Sequence, residues 1–526
     1  MTPEQAAQLS LAEQHEWYRK ATSRRSMLRG GLVGAGTVLA GSALSGTASA
    51  ATSSATSSAA ASLLQAADKP GGSTVAPFGR HIAFGANPST QMAVAWQTPA
   101  AVSNPFVRFG KTAHDLGERI PAELRDLSTL RGVVSPIDSV ALVSPSTIEQ
   151  YYLHVALDGL RPGETYYYAV GHDGWDPKAK LAVVNSFTTA PDKLGPFTFT
   201  AFGDQGISYD AVATTNLVNG QNPDFHLHAG DVSYAEGTGH GLVTDSYDPR
   251  VWDSFFAQVE AVAGNVPWQV ASGNHEMEPW YSPDGNGGLF ARLDFVGGKS
   301  TYYSFSYGNV AVITLDANDV SYEIPANNGY TGGAQTAWLE QELIKFRART
   351  DIDFILVQFH HCTYSTCTSH ASEGGARQYW VPLFDKYSVD LVINGHNHIY
   401  ERTDPLKGGD VTGAAPSGST VTPATAGTTY IVAGGAGNSL YSFGAADSYD
   451  GDVNDNSAIA SFVNSPGKTK VAETVNWSRV RYTGYAILAI DSNPGTHKGR
   501  TSTLTVRAID GFNAEIDRVV LARTAK

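Results

Sequence analysis

Cysteine is scarce in this sequence, with two residues, Cys362 and Cys367, among 526. Two thiols are too few for a zinc site built on cysteine, and nothing else in the sequence supports a catalytic thiol. Their spacing allows a small local disulfide, which we expect in preference to two free thiols. A loop this short would add little to the global stability of the protein.

Positive charge is also scarce, since 36 Lys and Arg residues face 50 Asp and Glu residues and the formal net charge is −14. An acidic surface of this kind argues against nonspecific binding to nucleic acid, and we expect no nucleic-acid partner. If the substrate is an anion, the binding site must supply its own positive charge. Bound metal ions are the obvious source.

Long apolar runs are missing beyond the N-terminal region, where residues 1–50 have the pattern of an export signal. Arg24 and Arg25 precede a mildly apolar run from Gly30 to Gly46, and Ala48-Ser49-Ala50 resembles a cleavage site. A membrane anchor is the alternative, but the run is short and rich in Gly, Ala and Ser. We therefore predict a cleaved twin-arginine (Tat) signal peptide, a secreted protein and no membrane association after cleavage.

The segment after the signal changes from a flexible composition to a β pattern. Residues 51–76 are rich in Ser, Ala and Gly and are predicted to be a disordered linker. From 77 to 190, short alternating runs such as Met92–Trp96 and Phe106–Gly110 indicate a β-sandwich. Trp96 and the stretch from Leu160 to Tyr166 resemble fibronectin type III modules. This domain contains no clustered chemical groups, so we predict a packing role for it.

From Phe197 onward, strands alternate with helices. Apolar residues at helical spacing predict helices at 248–264, 335–349 and 377–387. Short apolar runs predict strands that include 197–202, 266–271, 310–315, 354–359 and 391–393. The later chain is rich in β-type runs and is assigned to the same domain, 195–526. The predicted fold class is therefore α+β or α/β, with an N-terminal β-sandwich followed by a second sandwich domain flanked by helices.

Five of the predicted strands end in a side chain that can bind a metal. These residues are Asp204, Asp231, Asn274, His360, and the pair His396 and His398. A single Asp or Asn after a strand most often begins a turn or caps a helix. Turn chemistry does not explain all five, nor the paired histidines. The pattern therefore predicts a metal centre.

Sorting these ligands by hardness predicts two adjacent sites that share the Asp231 carboxylate. The oxygen-rich site suits ferric iron and comprises Asp204, Tyr234, His398 and Asp231. The second site suits zinc, manganese or ferrous iron and comprises Asn274, His360, His396 and Asp231. Two metals that share a carboxylate lie about 3.5–4 Å apart, a geometry that favours in-line displacement at phosphorus.

These residues resemble the motifs of the purple acid phosphatases. The resemblance covers about residues 77–490 and lies in five blocks: Asp204-x-Gly206, Gly230-Asp231-x-x-Tyr234, Gly273-Asn274-His275-Glu276, Val357-x-x-His360 and Gly395-His396-x-His398. Most calcineurin-like metallophosphoesterases have a histidine at the position of Gly206, and here Tyr234 stands as the replacement ligand. The resemblance implies a metallophosphoesterase domain, a tyrosinate–iron charge-transfer band, and hydrolysis of phosphate monoesters by a hydroxide held on the metals.

Two further histidines resemble the substrate-contacting residues of that family. His275 follows the ligand Asn274 and could stabilise phosphoryl oxygens or protonate the leaving alkoxide, although it could also only support a metal ligand. His370 resembles the second substrate histidine, but Ser369 stands where plant-type members often have another histidine. His361, directly after a ligand, is expected to make packing or rim contacts.

Three functions remain open on this sequence, and the leading one is a secreted acid phosphatase acting on small phosphate monoesters. A phosphodiesterase, or a nucleotide or phytate hydrolase, could use the same site. A non-catalytic fibronectin-like binding protein would be expected to have lost at least one metal ligand, and none is missing.

Overall fold

A computed structural model describes residues 75–130, 147–178, 183–241, 246–278, 285–443, 459–467, 470–495 and 497–526. The predicted signal peptide, and the predicted linker up to residue 74, lie outside these ranges. Within the described part of the chain, no helix combines the length and the apolar character needed to span a membrane.

The first part of the chain forms two four-stranded sheets, as the alternating pattern predicts. One sheet contains, in spatial order, Phe78–Phe84, Met92–Thr98, Thr147–Leu157 and Glu123–Leu130. The other contains Arg119–Pro121, Phe106–Gly110, Thr165–Gly171 and Asn185–Thr188. Trp96, Val107, Tyr152 and Tyr168 are fully buried in the core. The prediction of an N-terminal β-sandwich is confirmed.

The second part is built on two seven-stranded mixed sheets. The first consists, in spatial order, of Trp268–Val270, Phe225–His228, Phe197–Phe202, Ala486–Asn493, Thr501–Asp510, Glu515–Thr524 and Ser419–Val421. The second consists of Tyr303–Tyr307, Val310–Thr314, Phe354–Gln358, Leu391–Asn394, Thr429–Ala433, Tyr400–Thr403 and Ser478–Tyr482. Smaller sheets are formed by Ser372–Glu373, Ile459–Val463 and Val471–Thr474, and by Leu406–Lys407 and Asp410–Val411.

The second part also contains α-helices, in agreement with the prediction of a sandwich flanked by helices. Those of the described residues are Tyr209–Gly220, Arg250–Ala263, Gly287–Arg292, Ala334–Ala348, Gly374–Tyr379, Val381–Tyr387 and Pro423–Ala426. The helix predicted at 377–387 is present but interrupted at Trp380, where one short helix ends and a second begins. Pro382 lies in the first turn of the second helix, where its missing N–H and fixed φ favour a new helix start.

The helix Tyr209–Gly220 was not predicted from the sequence. Its buried residues are Ala211, Thr214, Thr215 and Val218, and with one larger apolar side chain among them it lacks a strong apolar stripe. Its start does carry a local signal, because the Ser208 side chain accepts a hydrogen bond from the Ala211 N–H and caps the helix.

The predicted disulfide between Cys362 and Cys367 is wrong, since both residues are free and buried. The Cys362 thiol donates instead to the Gly395 carbonyl oxygen over 2.8 Å. Cys367 makes a β-bridge with Phe443. Burial raises the pKa of Cys362 well above its usual value and that of Cys367 to about 11, so both remain protonated and unreactive at neutral pH.

The N-terminal sandwich packs on the helix Arg250–Ala263 of the second unit. The ring of His81 stacks on Phe256 with centroids 4.3 Å apart, and Arg80 pairs with Glu260. Asp253 accepts hydrogen bonds from two glutamines of the sandwich. Apolar burial and polar contacts together therefore join the two units.

Asp294 provides a test of this interface. Its carboxylate lies 2.8 Å from His154 Nδ1 and 3.0 Å from an Arg125 nitrogen, both on the N-terminal sandwich. Burial raises its pKa, but His154 and Arg125 outweigh that effect and lower the pKa to about 2. A depressed pKa in the folded state stabilises the protein above about pH 4, and this contribution is lost as the pH falls through about 2.

We therefore expect Asp294→Asn to lower the free energy of unfolding by about 2 kcal/mol at pH 6. The difference from wild type should disappear near pH 2. Urea unfolding at a series of pH values measures this, with a substitution at the exposed Asp410, Asp410→Asn, as a control. A loss that is the same at every pH would contradict the electrostatic explanation.

Candidate metal centre

The predicted site residues lie where loops from the two seven-stranded sheets meet. Phe197–Phe202 and Phe225–His228 are parallel neighbours in the first sheet, and Phe354–Gln358 and Leu391–Asn394 are parallel neighbours in the second. Parallel neighbours end at the same edge of a sheet, so the loops that follow them lie together. The loops of the two sheets contact each other directly, because the His396 backbone N–H donates to the Asp204 carboxylate over 2.9 Å.

One cluster contains Asp204, Tyr234 and His398. The Tyr234 hydroxyl oxygen lies 2.9 Å from His398 Nε2 and 3.2 Å from Asp204 Oδ1. His398 Nε2 is 3.5 Å from the same carboxylate oxygen. A carboxylate, a phenol and an imidazole nitrogen thus converge, and Asp204 and His398 are buried.

A second cluster contains Asp231, Asn274, His360 and His396. His360 Nε2 lies 3.0 Å from both Asp231 Oδ2 and Asn274 Oδ1, and 3.2 Å from His396 Nδ1. Ligand atoms of Asp231, His360 and His396 all lie within 4.8 Å of one another. The two clusters adjoin, since a Cβ atom on Gly395 would lie 2.5 Å from Asp204 Oδ2 and 3.0 Å from His360 Nδ1.

Contacts around the clusters fix which atoms face inward. His360 Nδ1 contacts the Ala229 carbonyl oxygen at 2.8 Å and His398 Nδ1 contacts the Ser439 carbonyl oxygen at 2.6 Å, so these nitrogens carry protons and Nε2 of each ring faces its cluster. The Asn274 amide donates to the Gly239 carbonyl oxygen, which turns its Oδ1 toward His360. Several lone pairs therefore point at common positions, an arrangement that fits metal ions.

The electrostatic interactions within the two clusters also favour binding of a cation. Burial would raise the pKa of Asp231, but His360 and His275 hold it well below its usual range. Burial would lower the pKa of His360, but Asp231 and Asp204 raise it to about 9. Burial, with the same two carboxylates, raises the pKa of Tyr234 well above its ordinary value. A bound metal would displace protons from His360 and Tyr234, so its affinity should rise with pH.

Four of the predicted ligands have left-handed backbone conformations. The φ angles are 62° at Asp204, 54° at Asp231, 59° at Tyr234 and 70° at His396. Such a conformation costs a non-glycine residue about 1–2 kcal/mol. Strained backbone of this kind is concentrated at functional sites, where the surrounding structure holds it in place.

A glycine before a ligand is needed where the chain passes close to a carboxylate. A Cβ atom on Gly273 would overlap both the Oδ1 atom and the backbone nitrogen of Asp231. The glycine of the Gly-Asn-His-Glu block is therefore required by close approach, since its φ of −94° is open to any residue.

An open pocket of about 570 Å³ lies over the clusters and is lined by Tyr234, Asn274 and His398. His275 and His370 also line it. The His275 backbone N–H donates to Asp231 Oδ1 over 3.0 Å, its ring Nδ1 contacts the Glu236 carbonyl oxygen at 2.6 Å, and its Nε2 lies 3.8 Å from Asp231 Oδ2. The ring of His370 packs on that of His396 with centroids 3.9 Å apart.

His361 does not line this pocket among the described residues. It is fully buried, and its ring packs 4.6 Å from that of His396. Burial and the nearby His360 lower its pKa to about 3, so the ring is neutral. Of the two contacts expected for this residue, packing is the one observed.

Three residues near the site had no predicted role. Glu276 closes the Gly-Asn-His-Glu block, and its buried carboxylate accepts the N–H groups of Asp231, Val232 and Gly273, each over 2.8 Å. Its position two residues after the predicted ligand Asn274 is the sequence feature that could have indicated this role. Glu323 and Lys470 also line the pocket, and both come from loops with no motif or periodicity.

Comparison with known proteins gives the class of the protein. Residues 197–400 match the family model described as calcineurin-like phosphoesterase, and residues 77–189 match the purple acid phosphatase N-terminal domain. An uncharacterized protein of Mycobacterium tuberculosis is 33% identical over 81% of this chain and 82% of its own length. The Fe(3+)-Zn(2+) purple acid phosphatase 12 of Arabidopsis thaliana is 29% identical over 48% of this chain and 52% of its own length.

The fold agrees with this class. The structure of a purple acid phosphatase from yellow lupin seeds matches with a TM-score of 0.63 and 20% identity, covering 86% of this chain and 75% of that one. The protein is a metallophosphoesterase with a β-rich N-terminal domain. It belongs to the purple acid phosphatase family, whose members carry a binuclear metal centre and hydrolyse phosphoesters.

Proposed function

We propose that this protein is a secreted acid phosphatase that hydrolyses small phosphate monoesters at a binuclear metal centre. The observation that carries the proposal is the pair of adjoining ligand clusters beneath an open pocket lined by His275 and His370. A phosphate ester is small enough for this pocket. The formal charge of −14 makes local metal cations the natural partners for an anionic substrate.

The seven predicted ligands divide between the two metals, with Asp231 shared. Asp204, Tyr234 and His398 would hold Fe³⁺, because carboxylate and phenolate oxygens are hard ligands. Asn274, His360 and His396 would hold a divalent ion: zinc, manganese or ferrous iron. The Arabidopsis relative named for Fe(3+) and Zn(2+) supports the pairing of ferric iron with a divalent ion. When bound, such a pair of cations acidifies a water nucleophile and neutralises phosphate charge.

The side chains of the pocket would complete the chemistry. His275 lines the pocket beside Tyr234, with its ring centroid 4.4 Å from that of the tyrosine. His370 faces it from above His396. We assign both histidines to the phosphoester, one binding phosphoryl oxygens and the other protonating the departing alkoxide. A proton donor of this kind contributes about 10²–10⁴-fold to the rate.

The test is a comparison of hydrolysis rates for aryl phosphate monoesters and diesters, with metal content measured on the same sample. The proposal predicts iron plus one divalent ion for each chain, and faster turnover of the monoester at acid pH. Faster turnover of the diester would favour the phosphodiesterase alternative. A protein with no iron and no turnover would favour a binding function.

Replacing Tyr234 tests the iron assignment independently of turnover. The phenol of Tyr234 is protonated in the metal-free protein, because burial and nearby carboxylates raise its pKa. A ferric ion would bind it as the phenolate and give a visible charge-transfer band. We expect Tyr234→Phe to remove that band while Tyr441→Phe, at a residue stacked on His398, leaves it intact. Absorption spectra of the two iron-loaded variants check this, and an unchanged spectrum for Tyr234→Phe would exclude the tyrosinate ligand.

The twin-arginine sequence at Arg24 and Arg25 supports secretion by the Tat route. Replacing both arginines by lysine should retain the protein inside the cell. Fractionation of cells that produce each form measures this, and normal export of the lysine variant would contradict the assignment.

A further inference from the structure

Glu323 and Lys470 form an ion pair in the wall of the pocket, beside His370. Lys470 Nζ lies 2.7 Å from Glu323 Oε1. The glutamate side chain is mostly buried, with 12% of its surface exposed, whereas the lysine side chain is 38% exposed. Neither residue is among the predicted metal ligands.

The pair contacts the chain on both sides of His370. The Ala371 N–H donates to Glu323 Oε2 over 3.0 Å, and Lys470 Nζ donates to the Ser369 carbonyl oxygen over 2.8 Å. Glu323 Oε1 also lies 3.5 Å from His370 Nδ1. One ion pair therefore holds the backbone before and after the histidine and faces one nitrogen of its ring.

We propose that Glu323 and Lys470 are positioning residues that hold His370 over the metal centre in the orientation needed for catalysis. This inference rests on the proposed function, since it assigns His370 to the bound phosphoester. Asn397 is a further anchor, because its Oδ1 accepts the His370 N–H over 3.2 Å. That bond fixes the position of the backbone, whereas Glu323 faces the ring.

Two other roles for the pair fit the contacts less well. Ligand atoms of Glu323, His370 and His396 lie within 4.8 Å of one another, as a cation site would require. The Lys470 ammonium already pairs with this glutamate and neutralises its charge, which disfavours a metal ion at the same position. A direct role for Lys470 in binding the substrate is also disfavoured, because its charge is neutralised by Glu323 and its ammonium group donates to Glu323 and to the Ser369 carbonyl oxygen.

The orientation has a chemical consequence for the reaction. With His370 Nδ1 facing Glu323, the ring presents Nε2 to the pocket. During hydrolysis a water oxygen bonds to phosphorus and the bond from phosphorus to the ester oxygen breaks. The Nε2 proton passes to the departing alkoxide, which leaves as an alcohol, and the proton released by the attacking water restores the ring. A ring that can rotate away performs this transfer less often.

A double-mutant cycle on the metal-loaded enzyme tests the proposal. We expect His370→Ala to lower kcat/KM for an alkyl phosphate monoester by about 100-fold. Lys470→Met should lower it by about 10-fold, and Lys470→Arg, which can keep the ion pair, should restore most of that loss. In the His370→Ala background, Lys470→Met should have no further effect, because it acts through the histidine. The matched control is Lys386→Met, which breaks a 2.7 Å ion pair with Glu340 outside the pocket.

A second readout does not depend on turnover. In Lys470→Met and Glu323→Gln, hydrogen exchange in the peptide that contains His370 and Ala371 should become faster, while metal content stays at the wild-type level. If the two activity losses are additive, or if exchange in this peptide is unchanged, the positioning role is wrong. If the metal-loaded wild-type enzyme does not hydrolyse phosphomonoesters at all, the proposed function fails instead.

Discussion

Replacing Asp231 by asparagine is expected to abolish phosphatase activity and to release metal. The Asp231 carboxylate lies 3.0 Å from His360 Nε2 in one cluster, and Tyr234 of the other cluster is three residues later. As the proposed shared ligand, it supplies negative charge to both cations. We expect kcat to fall by at least about 10³-fold, which corresponds to about 4 kcal/mol. Turnover and metal analysis of the same preparation measure both effects.

Asp192→Asn is a suitable control for this experiment, because Asp192 is exposed. It removes the same charge from the protein without touching the clusters. Retention of both metals by Asp231→Asn would show that this carboxylate is not shared. Equal activity losses in the two variants would show that the effect comes from net charge.

Replacing Gly273 by alanine is expected to have a comparable effect, although the substitution adds a single methyl group. The new Cβ atom would overlap Oδ1 and the backbone nitrogen of Asp231. Either the carboxylate or the strand end must move, and overpacking of this kind costs about 1–3 kcal/mol of stability. Displacement of a reactive group by about 1 Å can cost 10²-fold in rate, so we expect at least that loss in kcat.

Gly413 offers a matched control, since it has an ordinary φ angle and a Cβ atom there would meet no heavy atom within 4 Å. Gly413→Ala should leave activity and metal content unchanged. Metal titration of both variants, followed by turnover at saturating metal, separates weak binding from misplaced ligands. Normal metal binding and turnover in Gly273→Ala would contradict the steric argument.

The convergence of the proposed ligand side chains could be predicted from the sequence because each predicted ligand directly follows a strand, or lies within a few residues of one. The strand pattern places Asp204, Asp231 and His360 at the carboxyl ends of buried strands, and parallel strands bring such ends together. The type of residue then indicates the chemistry. This prediction required no knowledge of the long-range packing beyond the two sheets.

Other features depend on contacts that no local pattern records. Glu323 and Lys470 are far apart in sequence, and each lies in an irregular loop, so nothing indicates that they meet at His370. The helix Tyr209–Gly220 buries one alanine, two threonines and one valine, and lacks the apolar spacing that identifies a helix. Cys362 and Cys367 have a spacing that allows a disulfide, but Cys362 is turned toward the Gly395 carbonyl oxygen.

The division of the ligands between two sheets has a consequence for the whole domain. Asp204 and Asp231 follow strands of one sheet, while His360 and His396 follow strands of the other. A cation bound by both groups would link the two sheets. Its binding energy would then add to the free energy of unfolding of the domain. Metal binding would therefore stabilise the domain as well as supply the reaction with its cations, and the metal-free protein should be the more sensitive to proteolysis.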